Sequence, residues 1–197
     1  MPDDKPSARW LMARFQEDLD SEAFDSLFSR FSGPALTVAR SILPRRGMAE
    51  DAVQEAFMRV VRARDQFDTS RKFAPWFYTI LRNVCTDYLR SKQRSPEING
   101  DEDTLRSCAR HGGVPPDSPM LKLLGKLSDG QQAVLELRVF HDMKFRRIGE
   151  ALGISEEAAK KRSQRGLRRL RKLFYESEES DEGRDSAPRA TKKAAKE

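Results

Sequence analysis

Apolar positions along this chain recur at helical spacing. Trp10, Leu11, Phe15 and Leu19 mark one amphipathic stretch over residues 8–19, with Arg14 on another face. Phe24, Leu27, Phe28 and Phe31 mark a second, which Ser21 is placed to cap. Gly33 and Pro34 predict an interruption or restart, after which Leu36, Ala39, Ile42 and Leu43 resume the stripe. Residues 44–47 read as a turn. A long helix is predicted over 48–67, because Ala52, Val53, Ala56, Phe57, Val60, Val61 and Ala63 share one broad apolar side. Asp68, Thr69 and Ser70 form a polar loop. Pro75 suits the first turn of the next helix, which carries Ile80, Leu81, Val84, Cys85, Tyr88 and Leu89 and ends in the basic run Arg90, Lys92, Arg94. Residues 95–119 hold three glycines and four prolines and no sustained apolar period, which predicts a linker. Helical spacing returns over 120–140 with Leu121, Leu124, Leu127, Val134, Leu135, Leu137, Val139 and Phe140. Strand-like alternation of β-branched residues is nearly absent. The expected fold is therefore all-α: a first domain over 8–94, a flexible linker over 95–119, and a second small helical domain over 120–175.

Residues 143–174 read as two short helices around a tight turn. Gly153 suits the positive φ that ends the first, Ser155 suits the N-cap of the second, and Glu156 and Glu157 suit its positive dipole end. Residues 155–174 contain eight Lys or Arg and two acids. At about 100° per residue, Ala159, Ser163, Gly166, Leu167, Leu170, Leu173 and Phe174 fall on one side. Lys161, Gln164, Arg165, Arg168 and Lys172 fall opposite, with Lys160 at the flank. One-sided charge on the second helix of such a motif is the pattern of a helix-turn-helix whose second helix enters a DNA major groove. An amphipathic helix with a solvated basic face has the same wheel.

Charge sharpens that picture. The chain has 197 residues, 38% hydrophobic and 35% charged, with a net charge of +6. The sum hides the local field, since residues 176–185 carry six acids and one Arg. Residues 176–197 cannot bury a core and are expected to form a disordered charged tail. No apolar run is long enough to span a bilayer and none opens the chain, so a cytoplasmic protein is expected. Cys85 and Cys108 make no metal or redox spacing. Cys85 falls in a buried stripe, and Cys108 with His111 supplies too few ligands for a metal. No cofactor is implied. A P-loop, a nucleophile motif and a metal-ligand set are all lacking, and His111 and His141 sit apart without partners, so an enzyme is not expected.

Two features of the first domain could carry function. Asp51, Gln54 and Glu55 cluster on the long helix, where they are equally its solvated side. Arg71, Lys72, Phe73, Trp76, Phe77, Arg82, Asn83, Asp87, Arg90 and Lys92 interleave rings with cations, as suits single-stranded DNA. At least two of those three aromatics are expected in the core.

The run AEDAVQEAFMRVVR followed by FAPWFYTILRNVCTDYLR resembles region 2 of a bacterial RNA polymerase sigma factor, and LSDGQQAVLELRVFHDMKFRRIGEALGISEEAAKKRSQRGLRRLRKL resembles region 4. With only a linker between them, the arrangement is similar to the extracytoplasmic-function (ECF) type. The resemblance spans about residues 20–173. It implies a dissociable polymerase subunit that directs promoter recognition, DNA melting and transcription initiation. It places core polymerase docking at Asp51, Gln54 and Glu55. It places recognition of an unwound minus-ten element, with one base flipped into a pocket, in the loop before Trp76 and on the next helix. Asn83 matches the pocket position, with Asp87 and Arg90 further along; Arg71, Lys72 and Trp76 complete the set. It places duplex minus-thirty-five contacts at Lys160, Lys161, Gln164 and Arg165, with Arg168 on the same basic face. Implied partners are core RNA polymerase and promoter DNA in duplex and melted form, and anti-sigma proteins commonly inhibit members of the family.

The chain departs from the family pattern at Ala158 and Ala159, where a Thr-Val pair is common. Ser163 replaces a larger aliphatic, and Gly166 replaces a usual Ala at a helix-interior cost near 1 kcal/mol. Arg146 or Arg147 stands where an acid is usual. These departures bear on which promoter is read. The competing reading is a stand-alone helix-turn-helix regulator whose first domain dimerises or senses, binding palindromic duplex without polymerase.

Overall fold

The computed structural model describes residues 6–94 and 123–185. Among them are seven α-helices and one 3₁₀ turn, with no strand. They are α1 (Ala8–Asp18), α2 (Ser21–Ile42), α3 (Arg46–Arg62), the turn Arg64–Gln66, α4 (Phe73–Arg94), α5 (Asp129–Val139), α6 (Phe145–Leu152) and α7 (Glu156–Asp185). The linker, Cys108 and His111 lie outside the described residues.

Local chemistry sets most boundaries. Ser7 accepts from the Trp10 amide at 3.2 Å to start α1, and Leu19 ends it in the left-handed region at φ 53°. Asp20, rather than Ser21, caps α2 by accepting from the Ala23 amide at 3.0 Å, and Arg14 donates to the same carboxylate at 3.2 Å. Pro34 does not break α2. A proline inside a helix costs about 3 kcal/mol, but here Phe31, Gly33, Pro34, Ala35 and Val38 are all buried, and that packing offsets it. The helix expected over 120–140 is also different. Its turn at 123–124 gives way before Ser128, and α5 begins at Asp129, with the Gln131 side chain accepting from the Ser128 amide at 3.4 Å. At the far end, α7 continues past Tyr175 to Asp185, because extending an established helix needs no new nucleation.

The α1–α4 bundle closes on a continuous set of rings. Phe31 meets Phe73 at 4.9 Å and Phe77 at 5.4 Å; Phe77 meets Phe57 at 4.9 Å and Tyr78 at 5.1 Å; Phe24 meets Phe15 at 4.8 Å. Phe73 and Phe77 are core, as expected, and Trp76 is half-buried against Phe67 at 5.0 Å. Cys85 is buried, and burial pushes its thiol up to about 12.

The helix-turn-helix unit is seated on this bundle. Helix α5 packs on α2 and α6 on α4, and one buried cluster runs from the ring set into Ala133, Val134, Leu137, Met143 and Ile148. His141 does have partners: it stacks on Phe31 at 4.6 Å, and its Nε2 lies 3.0 Å from the Tyr78 hydroxyl. Thr37 donates to the fully buried Glu136 at 3.4 Å, and Lys72 pairs with Asp142 at 3.0 Å across the same seam.

Candidate nucleic-acid interface

The second helix of the helix-turn-helix is aimed by close backbone contacts. Gly153 ends α6 at φ 68°, and a Cβ on Gly149 would meet the Ile154 carbonyl oxygen at 2.7 Å, so the turn folds tightly against α6. Ser155 accepts from the Ala158 amide at 3.1 Å to start α7. Ala159, Ser163, Gly166 and Leu173 are buried beneath α7. A Cβ on Gly166 would reach Leu135 Cδ1 at 2.9 Å, so the light packing of this helix reflects a close crossing over α5. Leu167 and Phe174, expected on the inner side, are 54% and 50% exposed. The wheel groups them with Gly166 and Leu170, but the crossing with α5 buries only the centre of the stripe.

Lys161, Gln164, Arg165 and Arg168 are exposed on the opposite face. Among the described residues, no ion pair engages Lys161, Arg165 or Arg168. Lys160 differs: it is half-buried and bound to Glu156 at 3.0 Å and Glu157 at 3.1 Å, and these carboxylates raise its pKa. Arg146 and Arg147 both turn to Glu150, at 3.3 Å and 2.7 Å.

In the bundle, Asp51 and Gln54 are exposed and Glu55 half-buried on one side of α3. Asn83, Asp87 and Arg90 follow at i, i+4 and i+7 on α4 and are all exposed. An open groove of about 290 Å³ runs between the end of α3 and α4, lined by Arg59, Arg62, Ala63, Gln66, Ile80 and Asn83. Asp87 sits beside it, bound to Arg59 at 3.1 Å. The loop before α4 is organised by Asp68, whose carboxylate accepts from the Ser70 hydroxyl at 2.6 Å and amide at 2.9 Å and pairs with Arg71 at 3.0 Å. The Ser70 hydroxyl bond is the main cause of its lowered pKa. The candidate residues thus form three faces, with Lys72 turned to the seam, on Asp142, and Arg82 turned to the α6–α7 turn at Gly153.

Family comparison decides what these faces belong to. Residues 27–95 match Sigma-70 region 2, and residues 123–172 match Sigma-70 region 4. The chain belongs to the sigma-70 family. The two regions follow one another in the chain, and the sigma factor is of the ECF type. It is 30% identical over 173 residues to RNA polymerase sigma factor CarQ of Myxococcus xanthus, covering 85% of this chain and 97% of that one. It is 30% identical over 167 residues to ECF RNA polymerase sigma factor SigW of Bacillus subtilis, covering 78% and 89%. Among solved structures, an engineered region 2 of sigmaE in complex with GTAAAA is 34% identical, covering 48% of this chain and 98% of that one, with a TM-score of 0.44. No helix among the described residues of the sigma factor is long and apolar enough to cross a membrane.

Four groove residues, Arg59, Arg62, Gln66 and Ile80, escape a reading of the sequence alone. Arg59 and Arg62 had a local signal, since they follow Glu55 at helical spacing on α3. Gln66 and Ile80 had none, because their approach depends on how α3 and α4 cross.

Proposed function

We propose that this sigma factor directs initiation through three faces with distinct tasks. The acidic face of α3, with Asp51, Gln54 and Glu55, docks on core RNA polymerase. The groove between α3 and α4 takes a base from the melted minus-ten element: Asn83 reads it, Trp76 supports the wall, Arg71, Lys72 and Arg90 follow the phosphates, and Asp87 shapes the rim. Unstacking that base costs a few kcal/mol, which contacts to the free base must offset. Helix α7 reads duplex minus-thirty-five DNA with Lys161, Gln164, Arg165 and Arg168, and with Lys160 once its two glutamates release it. Each uncompensated cation that neutralises a phosphate releases counterions, so binding weakens steeply with salt. The sigma factor acts as a binding subunit in the cytoplasm, the chemistry of RNA synthesis residing in its partner.

The observation that carries this reading is the presence on one chain of an open groove beside Asn83 and of a second, basic helix face on which Lys161, Arg165 and Arg168 have no ion pair among the described residues. The test is run-off transcription from a promoter library by purified core polymerase with the purified chain. The expected result is promoter-specific transcripts that depend on the chain. Duplex binding without polymerase binding sinks the reading in favour of a stand-alone regulator.

A further inference from the structure

Arg59 occupies the junction between two of these faces. It lies one turn beyond Glu55 on α3, and its Nε donates to Glu55 Oε1 at 2.9 Å. The same guanidinium reaches across to α4 and donates through Nη1 to Asp87 Oδ2 at 3.1 Å. It also lines the groove that contains Asn83. One planar fork therefore holds a carboxylate of the docking face and a carboxylate of the minus-ten face. Arg62 stands behind it, 3.7 Å from the same Glu55 oxygen.

We propose that Arg59 is a positioning residue that couples polymerase docking to capture of the minus-ten strand. The inference rests on the assignment of the two faces made above. Glu55 and Asp87 are 31% and 52% exposed, so both bonds are open to exchange with an incoming partner. In the free chain the two carboxylates neutralise Arg59, and the groove presents little net positive charge to a strand. A cation of the polymerase that meets Glu55 takes over that carboxylate. Arg59 is then shared with Asp87 alone, and its charge becomes available at the groove. Asp87 by itself would repel a phosphate; held by Arg59 it becomes a means of fixing the guanidinium beside Asn83. Because coupling between two binding events is reciprocal, strand capture also tightens docking. A guanidinium that merely staples α3 to α4 would help strand binding equally with and without polymerase.

The test uses the full chain and a fluorescent single-stranded oligodeoxynucleotide copied from the upstream region of a promoter that the wild-type holoenzyme transcribes. Its affinity is measured by anisotropy for the free chain and for the chain at saturating core polymerase, with core alone subtracted. Wild type, Arg59→Ala, Arg59→Lys and Glu55→Gln are compared. The urea denaturation midpoint of each full-length variant reports that its α1–α4 bundle is folded. The expected result is a gain of about fivefold or more on adding core to wild type, shrinking to less than twofold in Arg59→Ala and Glu55→Gln. Arg59→Lys keeps the charge but not the fork and should fall between, which keeps the test decisive even if the alanine variant does not fold. A gain unchanged in the Arg59 variants, or an equal loss of affinity with and without core, overturns the coupling role. Wild type that fails to bind core overturns the assignment of the docking face, and the coupling with it.

Discussion

The two DNA-reading heads are built on opposite principles. The α1–α4 bundle is organised by bulk: Phe31, Phe73, Phe77 and Tyr78 are essentially inaccessible and touch one another edge to face or stacked. The helix-turn-helix is organised by smallness: Gly149, Ala159, Ser163 and Gly166 let backbones and helices approach closely, and at Gly149 a single added carbon meets backbone. Close packing makes both sensitive to volume, but with opposite sign. The first head fails when atoms are removed, and the second when they are added. The contrast fits the tasks proposed for them, since a groove that is to hold a flipped base needs rigid walls, whereas a recognition helix needs its height above the supporting helix set.

The largest expected effect breaks the first half of that contrast. Phe77→Ala removes a ring that meets four others and should cost about 3–5 kcal/mol in urea denaturation. A loss below about 1 kcal/mol would mean that the ring set is not what holds the bundle. For the second half, Gly149→Ala drives a carbon into the Ile154 carbonyl, a backbone atom that cannot rotate away, and should cost about 1–3 kcal/mol and weaken duplex binding. Gly166→Ala meets only the mobile end of Leu135 and gains about 1 kcal/mol of helix propensity, so it should stay near neutral. If the two glycine variants behave alike, backbone proximity is not the deciding factor.

Between the heads, His141 supplies a pH probe. Burial lowers its pKa from 6.5 to about 4, with the nearby Arg30 guanidinium adding to the shift. The unfolded chain takes up this proton as pH falls below 6.5, while the folded chain does so only near 4. Stability should therefore drop across that window by about 3 kcal/mol and gain nothing above pH 7 from this group. Replacing His141 with Gln should flatten the slope between pH 6.5 and 4.5, above the range where Asp20, Asp68, Asp142 and Glu150, whose pKa values are all lowered, lose their contributions. An identical slope in the variant would place the titrating group elsewhere. The smallest effect is at Lys72, whose exposed pair with Asp142 should contribute less than about 1 kcal/mol. Lys72→Ala should leave the denaturation midpoint nearly unchanged while lowering single-strand binding by the polymerase complex. The reverse pattern would assign Lys72 to the seam alone.

Helical spacing was enough to place α1 and α4, whose apolar stripes are long enough to be counted, but it ran α3 on through the 3₁₀ turn at Arg64–Gln66 and ended α7 near Phe174 rather than Asp185. It misjudged Pro34, where local propensity argues for a break and tertiary burial of Phe31, Ala35 and Val38 overrides it. It also ran through Ser128, although the cap and its Gln131 partner were present, because Leu124, Leu127 and Val134 stay in phase. Residues on one helix, such as Asn83, Asp87 and Arg90, are put in one row by spacing once the resemblance has singled them out. What connects rows on different helices is not legible from spacing. Arg59 gains its interest only when α3 and α4 cross, and His141 has no partner until α5 is laid on α2. The pairing of Lys160 with Glu156 and Glu157, four and three residues earlier on one helix, was within reach of spacing alone.

The fully buried Glu136 gives the seam between the heads a particular character. Its carboxylate accepts from Gln132 at 2.9 Å and from Thr37 at 3.4 Å, and it lies near enough to Tyr78 to raise the pKa of that phenol. Water would solvate that group far better than these neighbours do, so part of the cost of parting the heads is returned when it is wetted. An all-apolar seam of the same area would be a weld. With Glu136 at its centre, the seam costs less to part than a purely apolar one of equal area.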